Sequence, residues 1–237
     1  VGQVQDILCQ PKNVKDQTPK RFFRIFKPSK TCGMHSTEQT GPLQLKLKEQ
    51  GVSLMTYIKR EARSEDKFEY HNGRIVKMPF ARGPHNEITV NITTALKLGI
   101  RSVSGTFRVF SSDQKIYLPE VNYGVYPDAV VVSEAPLYWD DDDLLLINPL
   151  LVVEVLSKST RRYDLTGKFE LYKSCETFRE YVLVRQDTCE VEVRYREQPG
   201  LWRETLVTSP GAMVPLRSLG IQLALDDIYE NIRFPRP

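Results

Sequence analysis

The stretch PLLVVEVLSKST, residues 149–160, constrains the chain more than any other. Leu150, Leu151, Val152, Val153, Val155 and Leu156 read as a strand apolar on both faces, the kind found inside a covered sheet. Glu154 interrupts this run. By period two it shares a face with Val152 and Leu156. An ionised carboxylate among aliphatic side chains requires a partner, either a cation or a metal ion. The alternative is a place at the strand end, where the face opens to water.

The rest of the chain bounds what surrounds that strand. Its 237 residues suit one large domain, or one domain with extensions. Apolar residues make up 41% and charged residues 27%, which allows a sizeable core and excludes global disorder. No apolar run approaches the ~20 residues of a membrane helix, and no apolar signal sequence opens the chain. The four cysteines, Cys9, Cys32, Cys175 and Cys189, form no CxxC pair. They fit neither a cysteine zinc site nor a disulfide scaffold, so a reducing cytoplasm is the simpler setting.

Charge is unevenly placed. Residues 1–33 hold seven Lys or Arg and two Asp, a net +5, which leaves −2 for residues 34–237 of a chain whose total is +3. The body therefore gives no bulk-charge argument for nucleic acid. Residues 1–50 lack a sustained period and read as a leader outside the functional domain, with a basic nucleic-acid-binding arm as the other reading. Met34 and Met55 are candidate natural starts. The functional domain is expected over residues 51–233.

From residue 53 the pattern sharpens. SLMTYIKREARS predicts a short helix. KFEYHNGRIVKM predicts a hairpin, because apolar and polar residues alternate around Asn72-Gly73, the pair that favours a type I′ turn. Pro84 suits the first turn of a helix reaching about Leu98, with Ile88, Ile92, Ala95 and Leu96 as its apolar stripe and Gly99 at C′. TFRVF and QKIYL read as strands around SSD, and YPDAVVVS as another strand. WDDDD at 139–143 is an acidic loop. A helix is expected from about Thr160 to Ser174, with Leu165, Phe169 and Tyr172 as its core stripe. EYVLVRQ, CEVEVRYR, WRETLV and AMVPL follow as strands, and LALDDIYENI as a short helix. Strands interrupted by helices make this a mixed α/β or α+β domain.

Two carboxylates stand at strand ends. Asp128 follows Pro127 at the start of an apolar strand, and Glu154 comes 26 residues later. If those strands are neighbours, both carboxylates converge at one end of the sheet, where oxygen ligands suit a hard Mg²⁺ ion. Taken alone, Asp128 reads as a turn acid. Lys168 lies at i+3 from Leu165, on the edge of the helical stripe, and could lean toward Glu154. Asp164 and Lys168, at i,i+4, also read as a surface ion pair.

The chain resembles the Uma2 family (DUF820) of the PD-(D/E)XK restriction-endonuclease-like superfamily. The resemblance rests on FEYHNGRIVKM, PHNEITVNITTAL, FRVFSSDQKIYLP, YPDAVVVSE, NPLLVVEVLSKSTRRYDLTGKFELYKS, REYVLVRQDTCEVEVRYR and LGIQLALDDIYENI, in family order from about residue 53 to 231. It implies a restriction-endonuclease-like core, a central mixed β-sheet flanked by helices with additional β-hairpins. It also implies a metal-dependent phosphodiesterase site using Mg²⁺ or Mn²⁺. Asp128 and Glu154 match the motif acids. The lysine expected two residues on is absent, since position 156 is Leu, and Lys168 on the following helix takes its place. Glu69 matches a further acid near the site, as a ligand held directly or through water. His85, Asp113 and Tyr172 match family positions. Ser157 and Asp164 are read as supporting residues, Asp164 orienting Lys168.

The activity so implied is endonucleolytic hydrolysis, with DNA the expected substrate and RNA also compatible. Cutting both strands would favour a homodimer. The alternative is a non-catalytic nucleic-acid or protein-binding module that keeps the fold.

Overall fold

A computed structural model of the chain describes residues 47–49, 51–139 and 143–234. Residues 1–46, with Cys9, Cys32 and Met34, residue 50, three aspartates of the acidic loop and residues 235–237 lie outside the described residues. The strands in chain order are β1 Leu47–Glu49, β2 Phe68–His71, β3 Arg74–Lys77, β4 Phe107–Ser111, β5 Lys115–Leu118, β6 Tyr123–Val125, β7 Ala129–Ser133, β8 Leu145–Leu146, β9 Leu151–Leu156, β10 Glu180–Arg185, β11 Val191–Gln198, β12 Leu201–Val207, β13 Met213–Leu216 and β14 Ile221–Ala224. The helices are α1 Leu54–Glu61, α2 Gly83–Gly99, α3 Phe169–Tyr172 and α4 Leu225–Ile228. A π-helical turn, Tyr163–Lys168, runs directly into α3.

The central sheet has the order β12-β11-β10-β9-β7-β4. It is mixed: β9 and β10 are parallel, and the other neighbours are antiparallel. A second six-stranded sheet, β1-β3-β2-β6-β5-β8, covers one of its faces, and β13-β14 form a separate hairpin. This layering accounts for the two-faced pattern of β9, all of whose residues are buried. Leu151, Val153 and Val155 pack with Ile88, Ile92 and Leu96 of α2 and with α4. Val152 and Leu156 pack with Ile116 and Leu118 of the second sheet and with Phe169 and Tyr172 of α3. Each such aliphatic side chain contributes about 1.5–3 kcal/mol on burial. Glu154 points to the second of these faces.

Local signals produced the expected elements. The Ser53 side chain accepts from the Thr56 amide at 3.2 Å and caps α1. Asn72 (φ 45°) and Gly73 (φ 85°) both take positive φ, as a type I′ turn between β2 and β3 requires. Pro84 sits in the first turn of α2. No helix among the described residues is long and apolar enough to cross a membrane.

Two details differ from expectation, and a third, the pairing of two strands, is left open by the sequence. Gly99 is not a left-handed cap but helical (φ −60°), and the chain continues into a 3₁₀ turn, Ile100–Ser102. What the missing side chain provides there is close approach, since a Cβ would lie 2.8 Å from Ile221 Cδ1. The strands TFRVF and QKIYL do not pair with each other: β4 joins β7 in the central sheet and β5 joins β6 and β8 in the second. The terminal helix is confined to α4, because Leu223 and Ala224 belong to β14.

The β2–β3 hairpin carries Glu69, so its turn bears on the site. Gly73→Ala keeps adequate space, with no atom closer than 3.7 Å to the added Cβ, but forces an L-residue into the left-handed region. It is expected to destabilise the protein by about 1–2 kcal/mol, read as a lower urea midpoint at unchanged slope.

Candidate active site

Lys168 is the hub of a buried cluster. Its Nζ donates to both carboxylate oxygens of Glu154, at 3.1 Å each, and to the Tyr126 carbonyl at 2.9 Å. The same ammonium lies 3.5 Å from Glu69 Oε1 and 3.5 Å from Asp164 Oδ1. Tyr172 donates its hydroxyl to Glu154 Oε1 at 3.1 Å. The Asp164–Lys168 pair is therefore not on the surface; both side chains are under 5% exposed.

The local helix geometry makes this arrangement. The Ser157 hydroxyl accepts from the Thr160 amide and starts the helix that follows β9. The wide π turn then carries Lys168 to its end, followed directly by α3 with Tyr172. Gly167 permits close approach inside the turn: a Cβ there would lie 2.6 Å from Tyr163 Cδ2. With that space free, the Tyr163 hydroxyl reaches Glu69 Oε2 at 3.5 Å and His71 Nε2 at 3.1 Å.

Asp128 approaches from the neighbouring strand. It precedes β7, one rung beyond the Ala129–Val153 pair, which brings it beside Glu154. Its amide donates to the Val153 carbonyl at 3.0 Å, and its Oδ2 accepts from the Val155 amide at 2.6 Å. The side chain thus prolongs the β7–β9 ladder past the start of β7. His85, near the N-terminus of α2, places Nε2 3.4 Å from Asp128 Oδ2. Its Nδ1 is buried without a hydrogen-bond partner among the described residues.

Asp128, Glu154, Val155, Ser157, Asp164, Lys168 and His85 all line one cleft of about 760 Å³. Glu69 stays off the cleft wall, fully buried. It accepts from the Tyr126 amide at 3.2 Å and bonds His71 Nε2 at 2.8 Å. Asp113 is not brought into the cluster; it is 82% exposed and pairs with Lys67 at 2.5 Å. His71 and Tyr163 are contacts that the sequence reading missed. Period two in FEYH puts His71 on the face of Glu69, a signal that was present. Tyr163 depends on the π turn and carried none.

Three carboxylates share one ammonium, and their environments separate them. Burial pushes Glu154 well above the ordinary 4.5; Lys168 opposes this, but Asp164 and Asp128 add to it. Burial alone would raise Glu69 as well, yet Lys168, His71 and the Tyr126 amide outweigh it and hold that carboxyl below its usual range. Glu69, with the larger set of donors, is the ionised partner. Burial also raises Asp164, against the pull of Lys168. Burial would lower Lys168, but Glu154, Glu69 and Asp164 together raise it well above 10.5, so it stays charged. His85 is raised despite burial by its bond to Asp128. The cluster sets three carboxyl groups around one ammonium.

The chain matches the model of the Uma2 family, described as "Putative restriction endonuclease", over residues 54–226. It belongs to that family, whose description supports nuclease function. The uncharacterized protein slr1290 of Synechocystis sp. (strain ATCC 27184 / PCC 6803 / Kazusa) is 31% identical over 179 residues, 75% of this chain and 91% of that protein. The uncharacterized protein sll1609 of the same organism is 32% identical over 136 residues, 57% of this chain and 76% of that protein. A solved structure, that of "a putative nuclease belonging to DUF820" from Anabaena variabilis ATCC 29413, shares the fold. It matches with a TM-score of 0.61 at 20% identity, covering 75% of this chain and 97% of that one. The mixed α/β fold with a central mixed sheet is the one expected from the sequence.

Two variants probe the cluster. Because Glu154 titrates above 4.5 in the folded state, the folded protein binds more protons than the unfolded chain in the interval between. Glu154 therefore contributes a stability that grows as pH falls through that interval. As pH is lowered toward 4.5, the wild-type melting temperature is expected to rise relative to that of Glu154→Gln. Gly167→Ala, which drives a methyl group into the Tyr163 ring, should cost about 1–3 kcal/mol in urea unfolding.

Proposed function

We propose that the protein is a metal-dependent endonuclease that hydrolyses phosphodiester bonds in DNA, using Mg²⁺ or Mn²⁺. The observation that carries this reading is the convergence of Asp128, Glu154 and Lys168, from a strand start, a central strand and a helix, on one cleft.

The donor set fits a hard divalent cation. Among the described residues no three His, Cys, Asp or Glu side chains form a ready-made metal cage. Two carboxylates, Asp128 and Glu154, with the Val155 carbonyl would hold the ion, leaving its other positions to water and phosphate, as Mg²⁺ prefers. Burial pushes the Glu154 carboxyl up, and such an ion beside it would favour its ionised form. When bound, it polarises the phosphate and lowers the pKa of a bound water.

The chain's own residues have separable tasks. The Val155 amide fixes the Asp128 carboxylate through Oδ2 and leaves Oδ1 without a hydrogen-bond partner among the described residues. Lys168 supplies positive charge to the phosphate as negative charge develops there. Glu69 and Asp164 hold that ammonium; with both oxygens engaged and no place on the cleft wall, Glu69 is assigned to Lys168 rather than to the ion. His85 braces Asp128 from the side of α2. Cutting both strands of a duplex takes two copies of such a site.

The test is cleavage of supercoiled, linear and single-stranded DNA by wild type and Glu154→Ala, with Mg²⁺, Mn²⁺ or EDTA. Cleavage is expected to need the metal and to vanish in the variant. Lys168→Ala should lose turnover yet retain Mn²⁺ binding by titration calorimetry. If folded, metal-binding wild type cuts none of these substrates, the reading gives way to a binding module.

A further inference from the structure

We propose that DNA enters this cleft unpaired, as a single strand or a locally melted segment, with one base stacked on Phe80. The inference rests on the nuclease reading for what is cut, but not for what is bound.

Phe80 is the most exposed large apolar residue described, at 81%. Single exposed apolar side chains are ordinary on protein surfaces. This one, however, lies on the wall of the cleft that Glu154 and Lys168 also line. At that exposure it is not a core side chain, and among the described residues Lys77 Nζ lies 5.8 Å from its ring centroid. Arg82, two residues on, and Lys158, in the loop after β9, are both exposed on the same cleft. Neither has an ion-pair partner among the described residues. An aromatic face beside unpaired cations is the chemistry of a single-strand platform, in which bases stack and phosphates are neutralised.

Depth decides between paired and unpaired DNA. The Glu154 and Lys168 side chains are only 4% and 3% exposed, so a phosphate must descend into the cleft to reach them. A duplex phosphate can do so only if its nucleotide is drawn out of the stack, which carries an unstacking cost. A single strand bends in without that cost. The charge balance points the same way. Residues 34–237 carry a net −2, so bulk charge gives little affinity for a duplex, and stacking would supply affinity that bulk charge does not.

The experiment is fluorescence anisotropy with the full chain in the Glu154→Gln background without metal, so that nothing is cut. The probes are a labelled single-stranded oligodeoxynucleotide and the duplex of the same sequence. Tighter binding of the single strand is expected. Adding Phe80→Ala should weaken that binding at least about fivefold and leave duplex binding unchanged, and Phe80→Trp should restore it. Equal or tighter duplex binding, or single-strand binding indifferent to Phe80→Ala, would overturn the proposal. The two readings fail separately. Phe80-dependent binding without wild-type cleavage sinks only the nuclease; cleavage with Phe80-independent binding sinks only the stacking site.

Discussion

A single buried ammonium joins the two sheets of this protein. Glu154 belongs to the central sheet and Glu69 to the second one, and Lys168 bonds the first and ion-pairs with the second from a helix that covers both. Desolvating three carboxylates and a lysine costs several kcal/mol per ion, and hydrophobic replacements of similar volume often do as well or better. Stability therefore gives no reason for this cluster. The dense aliphatic packing of β7, β9 and β10 on either side is what allows the fold to carry it. A local conflict of this kind, with the rest of the sequence consistent, is the usual mark of a working site.

How legible this was depended on distance along the chain. The strand at β9, the Asn72-Gly73 hairpin and the helix opened by Pro84 follow from neighbours a few residues apart, and they were readable. Glu154 announced itself because a charge inside an aliphatic run has so few explanations. Asp128 was ambiguous alone, and only the pairing of β7 with β9 puts it beside Glu154. The division into two sheets was not legible, since nothing in SSD indicates that the chain changes sheets there. Lys168 read two ways, leaning toward Glu154 or forming a surface pair with Asp164, and a 3.6-residue period did not decide between them. The π turn breaks that period, and the Tyr163 ring lying against Gly167 inside it is a contact that no pattern of apolar residues encodes.

The placement of the lysine has a packing counterpart. Where related sites are expected to carry a lysine two residues after the acid, this chain has Leu156, which is buried with Phe169, Tyr181 and Trp202 in the core beneath α3. A lysine in that position would have had to leave the aliphatic layer to find a carboxylate. Supplying the charge from the helix lets β9 remain aliphatic on that face except at Glu154, and leaves the carboxyl group and the ammonium on separate elements that the fold brings together.

That separation makes the helix between Tyr163 and Lys168 a setting of phase. A π turn holds one residue more than an α turn of the same rise, so the extra residue decides which way every later side chain points. Removing one uncharged residue from the turn would leave the net charge and the Phe169 core side chain in the sequence, yet rotate Lys168 and Tyr172 by about 100° around the helix. In this fold the alignment of carboxyl group and ammonium is therefore written as a count of residues in one loose turn, and insertions or deletions there are chemical changes even when every side chain of the cluster is retained.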